Sequence, residues 1–297
     1  MNPSNDMTFS PLIIGTMRLG EWGANLSTQE LEYFIDACVD LGFTDIDHAD
    51  IYGHYTDEAK FGTVLKRRPD LRHKIQHTTK CGIKLISERR PNHKIKHYDS
   101  SKAHIIWSAE NALQELGVDH IELFLLHRPD YLMNPHEIAA AITQLKEAGK
   151  VKNFGVSNFT TSQIDLIHSF TPIINHQIEI SPLHRDPFED GTLDQCLRHN
   201  IAPTAWSPFA GGKLFQKTDD PTILRIQNAL EELALIHEAT FDQLLIAWLR
   251  KHPAGITPIL GTTKIGRLQK AKKALTITLS HQEWYQIWEA AIGQEVD

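Results

Sequence analysis

The sequence predicts an α/β fold, a (β/α)8 TIM barrel with additional C-terminal helices, and three observations lead there. Eight apolar runs of strand length recur along the 297 residues. Segments with helical spacing alternate with them nearly from end to end. Four titratable residues, Asp47, Tyr52, Lys80 and His127, each stand where an apolar run ends and turn chemistry begins. In a barrel of parallel strands, side chains at the carboxyl ends of different strands converge on one pocket, so residues far apart in the chain can share an active site.

The strand candidates in order are LIIGT (12–16), FTDID (43–47), IQHTT (75–79), IELFLL (121–126), VKNFGVS (151–157), IINHQIE (173–179), IAPTAWS (201–207) and ITPILG (256–261). Their near-continuous apolar character implies burial on both faces, as in parallel sheets covered by helices. Repeated strand–helix units imply right-handed crossovers, and eight of them close a barrel. Caps mark the helix starts. Ser27 with Glu30 three residues on forms a capping box, Thr56 is expected to act likewise, and Thr160 opens another helix. From Ser100 to Leu116, the residues Ile105, Ala109, Ala112, Leu113 and Leu116 fall at spacings of three and four, and the pattern stops at Gly117. Residues 221–252 leave room for two helices with Thr240 as a cap between them, and Ser280 starts a last helix through about Ile292. Residues 82–102, GIKLISERRPNHKIKHYDSSK, are basic and contain Pro91, so a solvated loop after the third strand is expected, of the kind that lines a substrate mouth. No composition shift or linker divides the chain, and one domain over 1–297 is expected.

The formal net charge of −7 argues against general nucleic-acid binding, which depends on a basic surface that releases counterions. Cys38, Cys81 and Cys196 are too few and too widely spaced for a disulfide framework or a thiolate zinc site. The opening MNPSNDMTFSPLIIGTM has no basic stretch leading into an apolar one, and no run approaches the length of a membrane span. A cytoplasmic, soluble protein without a membrane partner is expected, with a monomer as the expected state. No G-x-G-x-x-G opens a helix, Gly211-Gly212-Lys213 lacks the rest of a phosphate loop, and neither H-E-x-x-H nor G-x-S-x-G occurs. His73 with His77, and His93 with His97, are four apart, but both pairs lie in turn-like or strand-like sequence and are expected as solvated loop histidines. No metal site is expected.

D-x-A-x-x-Y-G at 47–53, a lysine ending the third strand and a histidine ending the fourth together resemble the aldo-keto reductase superfamily. The resemblance runs over essentially the whole chain, through DHADIYG (47–53), TTKCG (78–82), LLHRPD (125–130), GVSNF (155–159), HQIEISPLHR (176–185), AWSPFAGGKL (205–214) and LGTTKIGRLQ (260–269). It implies an NADP-dependent oxidoreductase that reduces a small-molecule aldehyde or ketone by hydride transfer, with Tyr52 as proton donor. A phenol has an unperturbed pKa of about 10, and a nearby cation favours the phenolate, so Lys80 is expected to lower Tyr52 toward working pH. Asp47 would hold the Lys80 ammonium, and His127 would orient the substrate oxygen or share the donated proton.

The resemblance also implies the cofactor residues. Ser157, Asn158 and Gln177 would bind the nicotinamide carboxamide, with Gly15, Thr16, Met17 and Asp47 nearby, and Trp206 would stack on the ring where many members have tyrosine. Ser207, Pro208, Phe209, Gly211, Gly212, Lys213 and Leu214 would cover the pyrophosphate, where missing Cβ atoms permit close approach. Gly261, Thr262 and Thr263 lead into a short helix beginning near Lys264, at which Lys264 and Arg267 would grip the 2′-phosphate of NADP(H). The pattern departs at Lys270 and Ala271, where many members carry Glu-Asn. Two rival readings belong to other classes: a regulatory subunit that holds nicotinamide cofactor with little turnover, and a phosphate-binding barrel lyase or isomerase, the latter by fold analogy alone.

Overall fold

The computed structural model describes residues 7–297; residues 1–6, on which part of the expectation about a targeting segment rests, lie outside them. Each of the eight apolar runs is a strand, and helices fill the intervals. The first half of the chain carries β1 (Ile13–Gly15), α1 (Thr28–Asp40), β2 (Asp45–Asp47), α2 (Tyr52–Tyr55), α3 (Asp57–Arg67), β3 (Gln76–Cys81), β4 (Ile83–Lys84), β5 (His97–Tyr98), α4 (Lys102–Leu116), β6 (Ile121–Leu126) and α5 (Pro135–Glu147). There follow β7 (Val151–Ser157), α6 (Thr161–His168), β8 (Asn175–Glu179), α7 (Asp186–Glu189), α8 (Thr192–His199), β9 (Ala202–Trp206), α9 (Pro221–His237), α10 (Phe241–Arg250), β10 (Thr257–Leu260), α11 (Ile265–Lys273) and α12 (His281–Ile292). The closed strand order is β1-β10-β9-β8-β7-β6-β3-β2, an eight-stranded barrel, with β4 and β5 as a separate two-stranded sheet.

Two compact units contribute to this order. The first comprises the described residues up to 177 together with Gly261–Thr263, the second Ile178–Leu260 with Lys264–Asp297. In the first unit the parallel register pairs Gly15 with Asp47, Asp47 with Thr78, and Lys80 with Leu125. Asp47 therefore ends β2, Lys80 lies one residue from the end of β3, and His127 follows β6 directly. Because these strands run in one direction, their terminal side chains share one rim.

The amphipathic spacing in α4 has a packing consequence. Ile105, Ala109, Ala112 and Leu116 are buried along one face, and complete burial of a side chain such as Ile105 stabilises by roughly 1.5–3 kcal/mol. The helix starts at the Ser101 cap and ends at Gly117, whose φ of 68° is left-handed. On the neighbouring α3, Gly62 lies so close to the main chain of Glu115 and Leu116 that any Cβ there would collide with it. In the second unit, α9, α10 and α12 enclose a core in which Trp248, Trp284 and Trp288 stack beside Phe188. The two indoles of Trp248 and Trp284 donate reciprocally, each to the other's carbonyl oxygen, at 3.2 and 3.0 Å. This satisfies both N–H groups inside an apolar cluster.

Three expectations are corrected. Ser27, Thr160, Thr240 and Ser280 all form capping boxes, but Thr56 does not. Its hydroxyl donates instead to the Gly53 carbonyl oxygen at 2.6 Å, because the turn before it passes through left-handed Gly53 and His54. Residues 82–102 are not simply a solvated loop: Ile83 pairs with Tyr98 and Lys84 with His97 in the β4–β5 ribbon. His77 is not a loop histidine either. It lies in β3, buried, with its Nδ1 3.3 Å from Nε2 of His48.

Candidate active site

The first unit builds the site around the ammonium of Lys80, whose side chain is fully buried. An ammonium has three N–H donors and no acceptor. Here all three are used: Asp47 Oδ2 at 2.8 Å, the His48 carbonyl oxygen at 2.7 Å, and the Tyr52 hydroxyl oxygen at 3.1 Å. Since Lys80 can only donate, the Tyr52 oxygen accepts, and the phenol's own proton is left to go elsewhere. The second oxygen of Asp47 takes the Gln177 side-chain amide at 2.9 Å, and its carbonyl oxygen takes both the main-chain N–H and the hydroxyl of Thr16. Every acceptor atom of Asp47 thus has a partner, which fixes the carboxylate that holds the ammonium.

Local sequence explains why Tyr52 reaches this point. After β2 the chain turns through Ala49–Ile51 and then through left-handed Gly53 and His54, so that Tyr52 turns inward. Tyr52, Tyr55, Ala49, Ile51 and Ile83 form one apolar cluster, against which Trp22 packs. The Trp22 ring stands edge-on to Tyr52 at 6.1 Å and the His127 ring at 5.9 Å.

The electrostatics differ from expectation at Tyr52. Burial pushes its phenol up from the ordinary value; Lys80 pulls it down and Asp47 pushes it up again. The physical reason is that Lys80 is not a bare cation but half of a buried ion pair, so the phenol feels a dipole, and desolvation wins. Burial disfavours the Lys80 ammonium as well, but Asp47 and then Tyr52 outweigh it, and its pKa is held above that of an ordinary lysine. His127 is driven well below the usual histidine range by burial, then by Lys80 and Arg128, so it is a neutral imidazole. Its Nδ1 is buried with no protein partner.

The remaining sequence-predicted residues fall into groups. In the first unit Ser157 is buried at the end of β7 and Gln177 within β8, Asn158 follows Ser157 with a left-handed φ of 58°, and its amide donates to Ser157 Oγ at 2.6 Å. Gly15 ends β1, with buried Thr16 and exposed Met17 after it. In the second unit Trp206 ends β9, and Ser207, Pro208, Phe209, Gly211, Gly212 and Lys213 form the following turn, in which Ser207, Gly211 and Gly212 have positive φ. Leu214 is completely buried in that unit's core, and its carbonyl oxygen accepts from the Gln227 side-chain amide at 3.2 Å. Gly261, Thr262 and Thr263 follow β10, Lys264 is the N-cap residue of α11, and Arg267 lies exposed in its first turn.

Sequence reasoning missed two contributors. His48 acts through its carbonyl oxygen, which no side-chain pattern reveals. Trp22 lies in a Gly-rich stretch without periodicity, and only the fold brings it to Tyr52.

With this geometry in hand, the likeness to known proteins is specific. The model of the Aldo/keto reductase family matches residues 11–292. The chain belongs to the aldo/keto reductase family. It is 44% identical over 296 residues to the uncharacterized oxidoreductase YcsN of Bacillus subtilis (strain 168), covering 99% of this chain and 98% of that protein. It is 39% identical over 295 residues to a 6-dehydroglucose reductase of Agrobacterium fabrum, again covering 99% and 98%. Among solved structures, the glycerol dehydrogenase AKR11B4 from Gluconobacter oxydans superposes with a TM-score of 0.85 over 100% of this chain and 97% of that one, at 24% identity, which shows the shared barrel. As an aldo/keto reductase the chain is an oxidoreductase. No helix among the described residues is long and apolar enough to cross a membrane.

Proposed function

We propose that this protein reduces the aldehyde or ketone group of a small molecule to the alcohol, with NADP(H) as cofactor and Tyr52 as general acid. The observation that carries the reading is the 3.1 Å bond from the Lys80 ammonium to the Tyr52 oxygen. In the neutral phenol that bond reaches a weakly charged oxygen. As the proton leaves, the oxygen becomes anionic and the bond becomes charge-assisted at both ends. The interaction is stronger in the transition state than in the ground state, which is what accelerates a step. The neutral His127 imidazole, edge-on to Tyr52, would hydrogen-bond the same substrate oxygen and exclude water beside it.

Each of the two units, taken by itself, offers groups suited to a part of a nicotinamide dinucleotide. Ser157, Asn158 and Gln177 offer hydroxyl and amide groups suited to a carboxamide. Gly211 and Gly212 expose main chain with nothing within 4 Å of where a Cβ would stand, as close approach of a pyrophosphate requires. Lys264 and Arg267 at the start of α11 would hold the 2′-phosphate. When bound, the reduced nicotinamide supplies the hydride.

The relative named 6-dehydroglucose reductase makes that sugar aldehyde the first carbonyl to try. The test is multiple-turnover NADPH oxidation over a panel of aldehydes and ketones, with Tyr52→Phe in parallel. Tyr52→Phe should still quench NADPH fluorescence while losing about 10²–10⁴-fold in turnover. Full activity in that variant overturns the assignment, and binding without turnover in the wild type favours a regulatory subunit.

A further inference from the structure

The basic segment after β3 packs Ile83, Leu85 and Tyr98 in and against the Tyr52 cluster, but among the described residues none of it hydrogen-bonds to Lys80, Asp47 or Tyr52. The β4–β5 ribbon closes it, Arg90 donates its main-chain N–H to the Ser87 carbonyl oxygen at 2.9 Å, and His93 Nδ1 lies 2.9 Å from the Leu85 carbonyl oxygen. Between this segment and the first turn of α4 lies a cavity of ≈ 450 Å³, lined among others by Asp50, Tyr55, Lys84, Arg90, His104 and Trp107. Neither Tyr52 nor His127 lines it.

Most of its charges are already committed. Lys84 Nζ donates to His104 Nδ1 at 2.8 Å and pairs with Asp99 at 3.4 Å. His104 is therefore neutral at Nδ1, its Nε2 lies 3.2 Å from Ser108 Oγ, and burial, then Lys84, pushes its pKa down to about 4. Asp99 also accepts from the N–H and hydroxyl of Ser101.

Arg90 is different. Its guanidinium carbon lies 4.7 Å from the Tyr55 ring centroid and 5.3 Å from that of Trp107, so aromatic rings hold the group without using its donors. One N–H reaches the Arg89 carbonyl oxygen at 3.2 Å, and among the described residues no carboxylate stands within ion-pair distance. A guanidinium packed on rings still presents its N–H edge, which matches the paired oxygens of a carboxylate or phosphate. Asp50 does not forbid an anion here. Its Oδ1 has no partner, and burial raises its carboxyl to about 7 against the opposing pull of Lys84, Arg90 and Lys80, so its neutral, hydrogen-bond-donating form is accessible.

We propose that this cavity is a second ligand site, separate from the carbonyl site, that binds a small oxyanion, carboxylate or phosphate, on the edge of Arg90. Its position gives an occupant leverage. Asp50 lies two residues before Tyr52, and Tyr55 shares an apolar cluster with it. An anion that draws Arg90 inward presses on the turn that presents the phenol.

The test is calorimetric titration of the full chain with acetate and, separately, with inorganic phosphate, in a Lys264→Ala/Arg267→Ala background so that the region of α11 adds no phosphate binding. Saturable binding by acetate alone assigns a carboxylate site, and by phosphate alone or both a broader oxyanion site; either supports the proposal. Arg90→Gln should raise Kd about tenfold or more, the consequence of losing a hydrogen-bonded charge, while Arg89→Gln, outside the cavity lining, should match the background. Arg90→Lys keeps the charge but not the fork and should weaken binding severalfold, so the question stays answerable if Arg90→Gln does not fold. Undiminished binding in either Arg90 variant, equal loss in Arg89→Gln, or no saturable binding by either anion overturns the proposal. Because no readout involves turnover, failure here is distinguishable from failure of the carbonyl-reductase reading.

Discussion

The Lys80 ammonium donates to the Tyr52 oxygen while Asp47, 2.8 Å from the same nitrogen, holds it in place. Removing one member of a buried ion pair leaves the other uncompensated, at a cost of about 3–5 kcal/mol. Lys80→Met should therefore destabilise the fold and stop turnover together. Lys80→Met combined with Asp47→Asn should recover much of the stability, read as the urea midpoint, without recovering turnover. Recovery of both would mean that the pair serves the fold alone.

The same geometry sets a pH profile. Burial holds the Tyr52 phenol above its ordinary value, so the phenol stays protonated up to pH ~10. His127, depressed well below the histidine range, is already neutral near pH 7. The rate of reduction at saturating cofactor should thus be flat from about pH 7 to about pH 9 on account of these two groups. An alkaline limb near neutrality that vanishes in Tyr52→Phe would show the phenol to be lowered rather than raised.

Glu58 offers a stability test. It is buried behind the site, accepts from Thr79 Oγ1 at 2.6 Å, has Oε2 unpartnered, and burial lifts its carboxyl to about 8. A folded pKa above the unfolded one means the folded state binds the extra proton, so this contribution is complete below about 4.5 and is lost as pH rises toward 8. Glu58→Gln keeps an acceptor for Thr79 and cannot ionise. It should be more stable than the wild type by roughly 2–4 kcal/mol at pH 8 and about equal at pH 4.5, by denaturant titration at both pH values. A constant difference would show that Glu58 does not titrate in the fold.

How much of this was legible in the sequence depends on which forces decide each feature. β6 at 121–126 and β7 at 151–157 match the predicted runs to the residue, because burial of Leu123–Leu126 and of Phe154–Ser157 on both faces selects mostly apolar or small side chains there. Ser280 and Thr240 were legible because a capping box is a local bond pattern. The pairing of Ile83 with Tyr98 was not, since it spans a polar segment whose register no periodicity fixes. The direction of the Tyr52 shift was not legible either. It depends on whether desolvation or Lys80 wins, and that requires the three-dimensional position of Asp47.

Gly53 should be intolerant of substitution. At φ +55° a Cβ would be strained and would collide with Oδ1 of Asp57, besides standing 2.7 Å from Thr56 Oγ1. Gly53→Ala should cost about 2–4 kcal/mol, from left-handed strain plus overpacking, and should misplace the adjacent Tyr52. In an Asp57→Ala background the collision with Asp57 disappears, leaving about 1–2 kcal/mol of strain and the contact with Thr56 Oγ1. Thermal melts of the four proteins separate the terms; additive losses would mean that Asp57 is not what crowds Gly53.

The last prediction concerns the choice between the two nicotinamide cofactors. Arg267 lies exposed in the first turn of α11, one turn after the Lys264 cap, where helix amides and a guanidinium fork favour a phosphate. NADH lacks the 2′-phosphate, so it loses nothing when the fork is removed. Arg267→Ala should weaken NADPH about 10–100-fold, as expected for a hydrogen-bonded ion pair, and leave NADH within about twofold. Fluorescence titration of both cofactors gives the ratio directly, and because the contact is exposed, the NADPH loss should shrink with added salt. Equal losses for the two cofactors would place Arg267 on a group they share and would overturn its role as the 2′-phosphate contact.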